Sequence, residues 1–136
     1  MPAEIGFEVK LNRTYQEALD LTKEALKAEG FGVLTSIDVK ATMKEKLDED
    51  FRPYVILGAC NPPLALRALS QDAVAGLLLP CNVTVEADGD SASIVRVANP
   101  ETILRVGSLE DNPELIAVAL EARTRLERVA EALLAS

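Results

Sequence analysis

The chain has no histidine and no tryptophan among its 136 residues, and only two cysteines, three phenylalanines and two tyrosines. Without histidine there is no Ser-His or Cys-His activation of a nucleophile, no His-ligated zinc or haem, and none of the usual proton shuttling near neutral pH. Any chemistry must run on Cys, carboxylates, Lys, Arg or Tyr. The scarcity of aromatic rings leaves little for base stacking or an aromatic cage. No two basic residues are adjacent, and 22 acids against 14 bases give a formal charge of −8, which repels a phosphate backbone; nucleic acid is not an expected partner. The longest apolar stretch, around Ala73 to Pro80, is far short of the roughly 20 residues of a membrane span, and no apolar signal core precedes or follows Glu4, so no membrane partner and a cytoplasmic location are expected. In a reducing compartment, two cysteines this far apart are expected as free thiols.

About half of the chain is apolar, enough for one domain over residues 1–136 with a core that needs no staples. Ile5 to Leu11 alternates apolar and polar residues as a half-buried strand does. Thr14-Tyr-Gln-Glu17 is a capping box; the helix it opens buries Tyr15, Ala18, Leu19, Thr22, Ala25 and Leu26, and Gly30 ends it. A second strand is predicted over Phe31 to Val39, a charged helix or turn over Ala41 to Asp50, and a strand over Tyr54 to Leu57. Asn61-Pro62 caps a short helix to Leu69. Leu77 to Glu86 reads as a strand, Asp88-Gly89 as a hairpin turn, and Ser91 to Ala98 as the returning strand. Asn99-Pro100 opens a brief helical segment to about Leu104 and Asn112-Pro113 opens the last helix, Glu114 to Leu134. Its stripe is Leu115, Ala119, Ala122, Leu126, Val129 and Leu133, with Glu121–Arg125 and Arg123–Glu127 as i,i+4 pairs on the other face. The pattern predicts an α+β two-layer sandwich, with a mainly antiparallel sheet and helices on one face. Consecutive apolar residues in Tyr54 to Leu57 and Leu77 to Leu79 predict strands buried on both faces, and hence a homodimer.

The specific part of the chain is two Cys-Asn pairs, in Gly58-Ala-Cys60-Asn61-Pro-Pro and Leu77-Leu-Leu-Pro-Cys81-Asn82-Val. Together, Leu57 to Leu69 and Leu77 to Val83 resemble the signature of the bacterial and archaeal domain of unknown function 302 family, and the resemblance runs over nearly the whole chain. It implies a compact α+β fold similar to half of a TATA-binding-protein-like architecture and a tendency to dimerise, and it implies no reaction. Read from the residues, Cys60 just ahead of a helix start is the candidate nucleophile, since the helix dipole lowers a thiol pKa; Pro62 and Pro63 weaken this by removing two donors. Pro80 suggests a bulge or edge position that would turn the Cys81 thiol outward. Asn61, Asn82 and Asn99 lie at element boundaries, where they either cap or orient a polar ligand.

The candidate ligand site is therefore Cys60, Asn61, Cys81, Asn82 and Asn99. Arg67, Arg96 and Arg105 are weaker candidates for an anion, and Asp48, Glu49 and Asp50 for a hard cation. Without C-x-x-C spacing no metal site is expected, nor any cofactor. Three readings stay open: a homodimeric binding or regulatory module for a small molecule, a thiol-dependent enzyme or redox or soft-metal protein using Cys60 and Cys81, and an interaction domain whose motifs only shape turns.

Overall fold

Five antiparallel strands form one sheet, lying side by side in the order Gly6–Leu11 (β1), Ser93–Ala98 (β5), Cys81–Ala87 (β4), Tyr54–Cys60 (β3) and Gly32–Asp38 (β2). A computed structural model of the chain describes residues 4–136. The helices are α1 Tyr15–Ala28, α2 Val39–Leu47, α3 Pro62–Gln71, α4 Pro100–Ile103 and α5 Pro113–Leu134, with 3₁₀ turns at Ala73–Leu78 and Gly107–Leu109. The architecture is α+β, as the pattern predicted, and the two long helices share one face of the sheet. There Ala18 and Leu26 of α1 and Leu126, Val129, Ala130 and Leu133 of α5 pack on Val9, Val55, Leu57, Val83, Val85, Val95 and Val97. Because side chains alternate along a strand, the residues between these form the second face, with Ile56, Thr84 and Arg96 in one cross-strand row.

Capping explains where the helices begin. The Thr14–Glu17 box forms as its sequence requires, and Asn61, Asn99 and Asn112 each cap a helix that starts on proline. Gly30, at φ +83°, turns the chain out of α1 in the left-handed conformation that a side chain resists. Asp38 caps α2 through the Ala41 amide at 2.9 Å, so the charged segment is a helix beginning at Val39.

The stretch before Cys81 departs from the sequence reading. Leu77 to Leu79 is not strand: Asp72 accepts from the Val74 amide and starts a 3₁₀ turn, which leaves Leu77 84% exposed. A short apolar run carries no periodicity to separate the two structures. Tyr54 to Leu57 also alternates in burial, with Val55 and Leu57 inward and Tyr54 and Ile56 half-buried, so neither run is buried on both faces. The hairpin exists, but its loop spans Asp88 to Ala92, closed by the Asp88 amide on the Ala92 carbonyl at 2.8 Å.

A second apolar cluster lies beside the first. Leu64 and Ala68 of α3, Ala75, Leu109 and the first half of α5 (Leu115, Val118, Ala122) pack together. The last helix thus serves two cores: its N-terminal half meets α3 and its C-terminal half meets the sheet. Residues at the seam between them face both.

Candidate functional site

A cavity of about 40 Å³ occupies that seam, lined by Phe31, Ala59 and Cys81 from the sheet side, Leu64, Ala68, Val118 and Ala122 from the helical cluster, and Cys60 and Asn61 where the two meet. Cys60 is the last residue of β3 and Cys81 the first of β4, and the antiparallel register sets Ala59 opposite Cys81. The 3₁₀ turn returns the chain from α3 to β4, which is how residues 21 positions apart become neighbours. Alternation points the Cys81 side chain inward with Ala59, against the sheet core. β4 is a central strand, so Pro80 marks neither an edge nor an outward turn of the thiol.

Both thiols are held in the neutral form. Burial pushes the Cys60 pKa up; for Cys81 burial, and then the neighbouring Cys60, push it to about 11. The lowering expected from the helix start fails for a countable reason. Pro62 and Pro63 have no N–H, the Leu64 amide donates to Asn61 Oδ1 at 3.3 Å, and the Ala65 amide donates to the Asn61 carbonyl at 2.9 Å. No first-turn amide is left for an anion. The sequence showed the prolines and the cap; the second amide was hidden only because the helix had to form for the Asn61 carbonyl to claim it.

The five site residues separate into two groups. Cys60, Asn61 and Cys81 line the cavity; Asn82 and Asn99 do not. Asn82 must face opposite to Cys81, and it borders an open groove of about 460 Å³ with Gly6, Arg96, Ala98 and Ile103. Asn99 is 2% exposed; its Nδ2 donates to the Glu4 carbonyl at 3.0 Å and its Oδ1 accepts from the Glu101 amide at 3.1 Å, which uses it structurally. Residues outside the motifs complete the cavity wall. Ala122 was visible as a core position in α5, but its second role depends on the docking of α3.

Most of the other candidate groups are already paired. Arg67 meets Glu114 and Glu121, Arg105 lies 3.9 Å from Glu101, and Lys44 reaches Asp48 and Asp50. On the second sheet face Glu86, only 4% exposed, accepts from Arg52 at 2.5 Å and from Arg96, which itself also donates to Glu8 at 3.0 Å. Burial opposes the Glu86 charge, yet the two guanidinium hydrogen bonds outweigh it and hold the carboxyl below its usual range. Among the described residues no cluster of three or more Cys, Asp or Glu could hold a metal ion, and no helix is long and apolar enough to cross a membrane.

The family model described as "Domain of unknown function DUF302" matches residues 7–133. Among solved structures, the crystal structure of an uncharacterized conserved protein DUF302 from Bacillus stearothermophilus has a TM-score of 0.83 to this chain at 29% identity, covering 96% of this chain and 99% of that one. No curated protein matches.

Proposed function

The chain belongs to the DUF302 family, and from that premise we propose that it is a cytosolic, homodimeric binding or regulatory module whose small-molecule site is the seam cavity at Cys60, Asn61 and Cys81. The observation that carries this reading is the cavity itself, an apolar space lined by residues from both Cys-Asn motifs and by two separate cores. A water needs about 10–15 Å³ of such space, so 40 Å³ takes a small apolar group of a ligand and not a whole metabolite. The remainder of the ligand lies outside, beside the partly exposed Cys60. The thiol-dependent alternative has less support, because both sulfurs are protonated at neutral pH and the amides that would activate Cys60 are occupied.

The test is a thermal-shift panel of short-chain alcohols, amides and carboxylic acids against the wild type and against Ala122→Leu, which fills the cavity and keeps both cysteines. Compounds bearing a small apolar group raise the wild-type melting temperature and lose most of that effect in the filled variant. A panel that stabilises neither protein, or both equally, removes the seam as the site.

A further inference from the structure

We propose that the free edge of β2 pairs antiparallel with β2 of a second copy about a two-fold axis at Ser36, joining two five-stranded sheets into one of ten. This rests on the homodimer proposed above and identifies its surface. The sheet has two edges, β1 and β2, and they are built differently. β1 carries Glu8 and Lys10, charges of the kind that protect an edge from pairing. β2, Gly32-Val-Leu-Thr-Ser-Ile-Asp38, has no lysine, arginine or proline, and all of its residues except Val33 are exposed. Leu34 is 67% and Ile37 50% exposed, where water meets two large apolar side chains on a strand whose outer backbone groups have no neighbouring strand among the described residues.

The register follows from which face each residue takes. Thr35 lies opposite Gly58 and Ile37 opposite Ile56, so both are on the second face; Ser36, opposite Leu57, is on the helix-covered face; Leu34 sits at the irregularity between Val33 and Thr35. Residues paired across a new strand boundary must share a face. An axis at Thr35 would set Val33 against Ile37, which lie on opposite faces. An axis at Ile37 would set Thr35 against Val39, already in α2. An axis at Ser36 sets Thr35 against Ile37 twice, extends the Ile37–Ile56 row across the boundary, and places the small Ser36 against itself. Asp38, the strand's one charge, then meets Leu34 of the other copy, and no like charges face each other. With −8 on each chain the copies repel at long range, and about 8 Å of screening at physiological salt favours association.

Sedimentation equilibrium tests this on the wild type, Ile37→Lys and Leu34→Glu, the second of which sets a carboxylate against Asp38 of the other copy, with circular dichroism melts to show that each variant is folded. The wild type is dimeric and tightens with added salt, and each charged substitution weakens the dimer by about tenfold or more. Ser36→Cys supplies a gain of signal: mild oxidation gives a covalent dimer that the wild type, with its two native thiols, does not form. A monomeric wild type overturns both the interface and the homodimer reading. A wild-type dimer that both folded charged variants match in affinity, and that Ser36→Cys does not cross-link, overturns the interface and leaves the homodimer standing.

Discussion

Gly58→Ala is expected to destabilise the protein by about 1–3 kcal/mol, the range for forcing extra carbon into a packed site. A Cβ at this position would lie 2.2 Å from Thr35 Oγ1 and 2.8 Å from Pro80 Cγ, closer than such atoms approach. Where the backbone tolerates it, glycine to alanine stabilises by about 0.4–1 kcal/mol through the unfolded chain, so the sign decides between open and filled space. Thr35 sits on the edge strand and its side chain can rotate away. The Pro80 ring cannot, because it is tied to the start of β4. Thr35→Ala in the same chain should therefore recover part of the loss and leave the Pro80 share, with a coupling of about 0.5–3 kcal/mol between positions 58 and 35. Urea unfolding gives the comparison directly, as a lower midpoint at unchanged slope. A Gly58→Ala variant as stable as the wild type would mean that β2 and the Pro80 turn do not close over β3 here. The glycine of Gly58-Ala-Cys-Asn is thus explained by the second sheet face, while the cysteine two residues later belongs to the cavity.

The second large effect is alkaline. Cys81 titrates near 11 in the folded protein, against about 9 for an ordinary thiol, so the folded state holds this proton more tightly than the unfolded chain does. The resulting stabilisation is complete below the ordinary thiol pKa and is lost as pH rises through the folded value. A difference of two pKa units corresponds to about 2–3 kcal/mol. Cys81→Ala has no such proton to lose. The quantity to read is the difference between the two urea-unfolding profiles from pH 8 to 10.5, in which whatever the two proteins share cancels. The wild type should start as the more stable, since alanine leaves the sulfur's space unfilled, and should converge on or cross the variant as pH rises. Parallel profiles would place the Cys81 sulfur in water.

Much of this architecture is legible from local chemistry. The capping box at Thr14, the three Asn-Pro starts and the α5 stripe act over three or four residues, and each produced the element it announced. Leu77 to Leu79 misled because three leucines suit a strand and a 3₁₀ turn equally, and the deciding residue, Asp72, stands five positions earlier. For the site, the nearness of Cys60 to Cys81 required the β3–β4 register, which no local signal fixes. The divergence of Asn82 from Cys81 required only period-two alternation, once the strand is known to begin at Cys81. Burial holds Cys60 protonated, and the Ala65 amide that could have opposed it is claimed by the Asn61 carbonyl, a bond that exists only in the folded helix.

The central claim is an apolar seam beside which the partly exposed Cys60 thiol stays protonated, with no first-turn amide left to make it a nucleophile. The direct measurement is the rate at which iodoacetamide alkylates Cys60 as a function of pH, followed on the intact folded protein by peptide mass spectrometry. The expected result is a midpoint above the value of about 9 for an ordinary thiol and slow reaction at neutral pH. Rapid alkylation with a midpoint at or below neutrality would contradict it.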